Sequence, residues 1–486
     1  MRLSLSSSIS SVGRLRMTSV TAPKETNYES WSPTQLIDRI KQLESQLPSP
    51  PKPQLSLPEP TMYAYLSSQI NSSPTKPSRS FEFDKYPTRY IAIKYAYLGW
   101  DYSGVAYCSP DVHTVETELF KALKKVKLVQ DIETCRYSRC GRTDKGVSAM
   151  GQVSALIVRS NINPEDRLEN GGRGYSLDER GQSKGEELDY VQRLNWVLPS
   201  TIRVIAWTPV PDDFDARFSC RGRQYRYFFT NLYDELDISA MRTAAGYFIG
   251  EHDFRNFCKL DVKKQITNFR RRVDKADIVP YNGLPENPNS KMWMLELHGS
   301  AFLWHQVRCM MAILFLVGQK LEEPEIVREL LDMEKNPKKP DYEMAYDIPL
   351  VLYDCLYDGL EWRYPEESSR SRDKMLQNLF STWHEQKLRE TMAGLFCTSF
   401  ARSREILMGK NADNKIGICN GSGFPKPIGK YRKVEKRPRQ EAFEVANERF
   451  RKTAKYERQQ KRMEAKAKLH EDTRDTDSGD TMESFG

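Results

Sequence analysis

The chain has 486 residues, 39% hydrophobic and 29% charged, and a formal net charge of +8 from 74 Lys and Arg against 66 Asp and Glu. That is enough length for two or three domains and enough apolar content for a sizeable core carrying polar extensions. No stretch approaches ~18 consecutive apolar residues, so no membrane span is expected. The nine cysteines, scattered and without a Cys-x-x-Cys pair, argue against both a disulfide framework and a zinc site and read as reduced intracellular thiols.

Residues 1–85 are expected to be a largely unpacked extension. The first 24 residues lack Asp and Glu and carry Arg2, Arg14, Arg16 and Lys24 among many serines. Two readings stand side by side, a mitochondrial transit peptide or a disordered leader. A short amphipathic helix is predicted from Trp31 to Leu47, with Leu36, Ile40, Leu43 and Leu47 at helical spacing, Ser32 as N-cap and Pro33 in the first turn. Six prolines between 48 and 60 and serines around 72–80 make a linker.

The folded part begins near Arg89, and residues 86–210 form a first half. Ile91, Ile93, Tyr95 and Tyr97 alternate with Ala92, Lys94 and Ala96, the pattern of a strand with one buried face. Thr114 opens a helix with Val115, Leu119, Leu123 and Val126 on one stripe. A second strand is expected from Gln152 to Val158, and the Gly-rich, charged segment 160–187 reads as an inserted surface loop. Another strand is expected at Arg203–Val210. Residues 211–400 form a second half, with strands at Gln224–Thr230 and Met292–Leu297. Helical or irregular structure is predicted at 239–247 and 252–258, and helices at about 302–320 and 324–334. Strands alternating with helices in two successive halves point to an α/β or α+β domain, its helices on one side of a mixed sheet. Residues 401–486 are a basic then acidic extension: from Lys426 to Lys468, sixteen Lys or Arg face six Asp or Glu, a distribution suited to a polyanion.

Three segments carry chemistry. Ser138 to Ala149 places one carboxylate, Asp144, in a polar turn between Arg142, Thr143 and Lys145, bracketed by Gly141 and Gly146. Alone, Asp-Lys-Gly is an ordinary turn. The apolar run Ala301–Val317 reads as a buried helix with Arg308 inside it, and a buried guanidinium needs a carboxylate. The segment Arg223 to Phe229 interleaves Tyr225, Tyr227 and Phe229 with Arg226 on the opposite face, which suits base stacking and phosphate contact.

Together these pieces resemble the TruA-like tRNA pseudouridine synthases, and more narrowly the eukaryotic branch acting on positions 38 and 39 of the anticodon stem-loop. The resemblance covers about residues 89–365. It rests on Gly141–Val147, Phe214–Ser219, Arg223–Tyr227, Gly250–Phe254 with Asn256-Phe257, and Ala301-Phe302 with His305–Arg308, in that order. In the opening motif Tyr97, Gly99, Tyr102 and Gly104 fit, but Val105 stands where an aromatic residue is usual.

The resemblance implies an α+β fold of two ferredoxin-like or RRM-like halves. They would share a mixed, mainly antiparallel sheet with helices on one side and a central RNA-binding cleft. It also implies an isomerase that breaks the N-glycosidic bond of a uridine and reattaches the base through carbon 5, with no cofactor and no metal. Asp144 would be the nucleophile, on the base or on the sugar. Arg308 would form an ion pair with Asp144 and lower its pKa. Tyr225 would stack on the target base and help move a proton. Arg142, Lys145, Arg217, Arg226 and His305 would contact RNA, with Arg142 filling the space of the extruded nucleotide. The expected partners are tRNA and a second copy of the chain. The expected compartments are nucleus, from Lys430–Arg439, and cytoplasm, with a mitochondrial fraction from the leader. The competing readings are a non-catalytic RNA-binding protein or tRNA chaperone of the same fold, and a carboxylate glycosidase using Asp215 or Asp253 as second acid.

Overall fold

Thr88–Tyr97 forms β1 in the computed structural model, which describes residues 81–164, 175–177, 183–231, 236–281, 292–366, 369–400, 416–423, 426–462 and 464, with Ser32, Asp38 and Arg39. By its contacts the chain divides into Met1–Ser80 and Phe81–Gly486. The leader and the 48–80 linker lie outside the described residues; of the helix expected at 31–47, Asp38 and Arg39 are described and helical. The account below concerns Phe81 onward.

β1 is buried on both faces over Arg89–Ile93, not on one as its alternation suggested. Tyr90 on the second face explains the difference: its hydroxyl donates to the Phe214 carbonyl at 2.8 Å and the Arg136 guanidinium lies 4.8 Å from its ring centroid, so that face is covered too. α1 (Val115–Lys125) starts where Thr114 accepts the Thr117 N–H at 3.1 Å, and it buries Val115, Leu119, Ala122 and Leu123. Glu116 is also buried. Its carboxylate accepts from the Tyr107 N–H and the Tyr137 hydroxyl, each at 2.7 Å, and pairs with Arg139. Arg139 lies in β2 (Ser138–Arg139), so this ion pair ties the strand entering the Asp144 turn to α1.

β3 (Ser148–Arg159) follows that turn. The expected surface loop holds a small hairpin, β4 (Tyr175–Leu177) and β5 (Ser183–Glu186). α2 (Tyr190–Asn195) and β6 (Ile202–Pro209) complete the first half. β1 lies antiparallel between β6 and β3, and β2 pairs antiparallel with the other edge of β3. Counting β1, β2, β3 and β6 as first to fourth, the spatial order is 4-1-3-2, a ferredoxin-like βαββαβ unit.

The second half repeats the scheme with β7 (Gly222–Thr230), α3 (Ile238–Gly246), β8 (Gly250–Asp253), β9 (Arg270–Pro280), β10 (Met292–Gly299), α4 (Gln306–Gly318), α5 (Ile326–Leu331) and β11 (Leu350–Leu356). Its strands run β11-β7-β10-β9-β8, all antiparallel, the same 4-1-3-2 order with β8 added at the edge. Two expectations change here. Residues 250–257 are a strand and a 3₁₀ turn, and the helix expected from about 302 begins only at Gln306.

The halves join where β11 runs parallel to β3, Val351 opposite Ser148 and Leu352 opposite Ala149. The result is one nine-stranded, mainly antiparallel sheet with two hydrophobic cores. Val147 belongs to the second core and Ala149 to the first, so the chain crosses the seam just after Asp144. Beyond β11, α6 (Arg370–Phe400) sets Lys374 5.9 Å from the Trp196 ring centroid. The hairpin β12 (Ile416–Ile418) and β13 (Lys426–Ile428) and the helix α7 (Phe443–Arg451) follow. The basic extension is docked: Val434 is buried and its N–H reaches Glu322 at 2.8 Å. Eight cysteines are described and none is bridged. Among the described residues no helix is long and apolar enough to cross a membrane.

Candidate active site at the seam between the halves

Asp144 sits on a turn fixed largely by backbone contacts. The Cys140 N–H donates to Val153 at 2.8 Å, and Gln152 Nε2 donates to the Gly141 carbonyl at 3.0 Å. Tyr97 and Thr143 share a hydroxyl hydrogen bond of 2.7 Å. The N–H of Val105 donates to the Thr143 carbonyl and that of Gly146 to the Tyr102 carbonyl, each at 3.3 Å. The opening motif is therefore the floor of this turn. A Cβ at Gly99 would stand 2.0 Å from the Val147 carbonyl oxygen; one at Gly104, at φ +100°, would stand 2.9 Å from that of Thr143. Val105 is fully buried in the first core, so the position that departs from the motif serves packing.

The second half supplies the facing wall. Because α4 starts late, Phe302–His305 form a non-helical approach, and His305 at its end takes a left-handed φ of 59°. That geometry brings two side chains to one carboxylate. Trp304 Nε1–H reaches Asp144 Oδ1 at 3.1 Å, and His305 Nε2 lies 3.3 Å from Oδ2. Burial first, then the charges of Arg308, Lys259 and Lys339, lowers the His305 pKa to about 4. The ring is thus neutral at pH 7, so its contact with Asp144 is not an ion pair. Its Nδ1 is buried without a partner.

The Asp144 carboxyl is held above the ordinary carboxylate range. Burial is the main cause and Asp347 acts the same way; the Trp304 hydrogen bond and the charges of Arg308 and Lys264 pull down without prevailing. The expected direct ion pair between Arg308 and Asp144 is corrected by the structure. The Arg308 guanidinium lies 3.8 Å from Asp347 Oδ2, and its Nε donates to the Ala345 carbonyl at 2.8 Å. Arg308 lies in the first turn of α4, against the 345–347 segment, so Asp347 takes the partnership. Its charge still lowers the Asp144 pKa through space, but burial reverses the expected net direction.

Tyr225 lies on β7, packed against both cores, with its ring edge-on to Phe302 at 5.1 Å and 81°. Burial drives its phenol pKa far up, so it remains protonated. Arg142 and Lys145 are exposed on the turn either side of Asp144. Arg217 is exposed, its guanidinium 5.2 Å from the ring of the exposed Phe218. Arg226 points to the other face of the sheet, 3.3 Å from Glu296 and with its guanidinium 3.5 Å from the Tyr353 ring centroid. It already has protein partners, which leaves it poorly placed for the phosphate contact expected of it.

Four residues of the site were missed from sequence. Trp304 adjoins a motif histidine, and that adjacency was its only signal. Arg223 lay within a motif; its guanidinium joins the Cys140 carbonyl (2.9 Å), the Arg217 carbonyl (3.2 Å) and the Ser300 carbonyl (2.7 Å), lacing the Asp144 turn to the second half. Asp347 and Lys264 had no sequence signal. Among the described residues no group of three or more His, Cys, Asp or Glu could hold a metal ion.

Comparison with known proteins agrees with this geometry. A family model described as tRNA pseudouridine synthase matches residues 244–358. A Saccharomyces cerevisiae protein named tRNA pseudouridine(38/39) synthase is 41% identical over 89% of this chain and 93% of its own length. The Homo sapiens protein of that name is 42% identical over 71% of each chain. A tRNA pseudouridine synthase A of Thermococcus onnurineus is 30% identical over 63% of this chain and 97% of its own. With an isolated aspartate turn at the seam of two ferredoxin-like units and identity of this extent, the chain belongs to the tRNA pseudouridine synthase family.

Proposed function

We propose that this chain isomerises uridine to pseudouridine in the anticodon stem-loop of tRNA, at position 38, position 39 or both. The observation that carries the reading is a single carboxylate, Asp144, at the seam, accepting a hydrogen bond from Trp304 of the opposite half with the neutral His305 ring 3.3 Å away. Asp215 and Asp253, the second acids of the glycosidase reading, are engaged locally, Asp215 by the backbone N–H groups of Arg217 and Phe218 and Asp253 by Arg255, which disfavours that reading.

The target uridine must leave the stem to reach Asp144, at a cost of a few kcal/mol that phosphate contacts offset. The exposed Arg142, Lys145 and Arg217 are the contacts we assign. Asp144 in its ionised form displaces the base or adds to it. The N1–C1′ bond breaks, C5 bonds to C1′, and the C5 proton is lost while N1 gains one, so no atom is gained overall. The protonated Tyr225, beside the seam, is assigned the base-facing role and proton transfer. The Trp304 hydrogen bond orients the carboxylate without neutralising it. The homodimer, with tRNA touching both copies, follows from the resemblance. Nucleus and cytoplasm with a mitochondrial fraction rest on the leader and on Lys430–Arg439.

The test is Asp144→Ala, assayed by chemical mapping of pseudouridine in a tRNA transcript alongside a binding measurement. Product should vanish while affinity stays within about threefold of the parent. Turnover by the variant would overturn the assignment, and a parent protein that binds tRNA without forming pseudouridine would favour the chaperone reading.

A further inference from the structure

The docked C-terminal extension makes a set of contacts with no evident bearing on its own stability. Asn447 of α7 is 1% exposed, and its Nδ2 donates to the Ile266 carbonyl at 3.2 Å. Arg451 Nε donates to Gln265 Oε1 at 2.6 Å, and Gln265 Nε2 donates to the carbonyls of Val262 (2.6 Å) and Asn447 (3.4 Å). Further on, Gln459 Nε2 donates to the Lys263 carbonyl at 2.9 Å. Asn447, Arg451 and Gln459 thus converge on the turn at residues 262–266, whose 3₁₀ segment Val262–Lys264 is capped by Asp261 at one end and at the other by Gln265 in a left-handed conformation, φ 49°. A non-glycine residue there is held by its surroundings.

This turn follows directly on Lys259, whose N–H donates to the carbonyl of Trp304 at 2.9 Å. Lys264 is exposed and makes a surface ion pair with Asp261 at 3.4 Å. Lys263 beside it is exposed, and the Lys259 ammonium lies 5.1 Å from the ring centroid of Trp304, the indole that donates to Asp144. Lys259, Lys263 and Lys264 are thus three exposed lysines within six residues on the approach to Trp304.

We propose that the C-terminal strap is a working part of the catalytic cleft: Asn447, Arg451 and Gln459 hold the Val262–Gln265 turn so that Lys263 and Lys264 meet the phosphodiester backbone of the RNA beside Asp144. Arg451 and Gln265 are positioning residues; the lysines are the contacts. The inference rests on the RNA-modifying function proposed above.

An uncharged substitution separates this idea from a simple basic tail. Gln265→Asn keeps a residue tolerant of the left-handed backbone but shortens the side chain so that it cannot reach Arg451 and the Asn447 carbonyl together. Affinity for a tRNA transcript across a salt titration, and single-turnover rate, are measured for the full chain and for Gln265→Asn, Lys264→Gln, Arg451→Lys and the Gln265→Asn/Lys264→Gln double variant. Gln265→Asn should weaken binding about threefold to tenfold and reduce the salt slope by about one, although it removes no charge. The double variant should lose less than the product of the two single losses, because Lys264 is shared by both and Lys263 alone remains to be misplaced, and Arg451→Lys, which keeps a donor, should retain most of the affinity. An unchanged salt slope in Gln265→Asn, or multiplicative losses in the double variant, would overturn the strap's role. The parent protein's turnover in the same assay reports separately on the function itself.

Discussion

The two halves of the sheet share one strand order and make unlike contributions to the site. The first half contributes position. Its Asp144 turn is held by backbone hydrogen bonds, by the buried Tyr97–Thr143 contact and by glycines that leave no room for a side chain. The second half contributes reactivity. Trp304, His305, Arg308 and Tyr225 set the hydrogen bonding, charge and burial that tune the carboxylate. A duplicated architecture thus separates the task of placing a nucleophile from that of tuning it, and only where β3 meets β11 do the two act on the same atoms.

If that division is right, substitutions in the two halves should fail differently. The largest effect is expected in the first. Gly99→Ala drives a methyl group to within 2.0 Å of the Val147 carbonyl, and the backbone must move. Stability should fall by roughly 3 kcal/mol and turnover should be largely lost; a urea melt that is unchanged, with activity intact, would show that the turn is not fixed in this way. In the second half, Arg308→Met should leave the fold in place and act on rate. Arg308 lowers the Asp144 pKa, so removing it raises that pKa further. Since the ionised form reacts, the acid limb of the rate–pH profile should move to higher pH, with a single-turnover loss of no more than ~10²-fold at pH 7. A shift to lower pH would mean that Arg308 serves Asp347 alone. The smallest effect is expected at Arg226. Arg142→Gln should flatten the salt dependence of tRNA binding by about one unit, whereas Arg226→Gln, already committed to Glu296 and Tyr353, should leave it unchanged. Equal slopes for both would restore Arg226 to the RNA-binding surface.

The glycine-bracketed Asp144 turn, the α1 start at Thr114 and the strands around it were legible because each is encoded within a few neighbouring residues. The start of α4 was misplaced for an instructive reason. Ala301–Val317 is apolar throughout, so hydrophobic pattern could not mark a boundary, and the break at His305 is imposed by the reach of Trp304 and His305 to Asp144. The Arg308 partner was named as Asp144 because charge balance demands a carboxylate but does not say which; Asp347 is 39 residues away in a segment without a motif.

The order of residues alone was sufficient for the α+β alternation, the two-half organisation, the family and the glycine-bracketed turn that carries Asp144, since these live in short motifs and local periodicity. Tertiary structure decided what surrounds the carboxylate: an indole donor and a neutral imidazole in place of a cation, a pKa raised by burial in place of one lowered by charge, and a C-terminal strap locked onto the turn that carries Lys264. Burial and distance between segments far apart in the chain set those quantities, and neither is written in the spacing of neighbours.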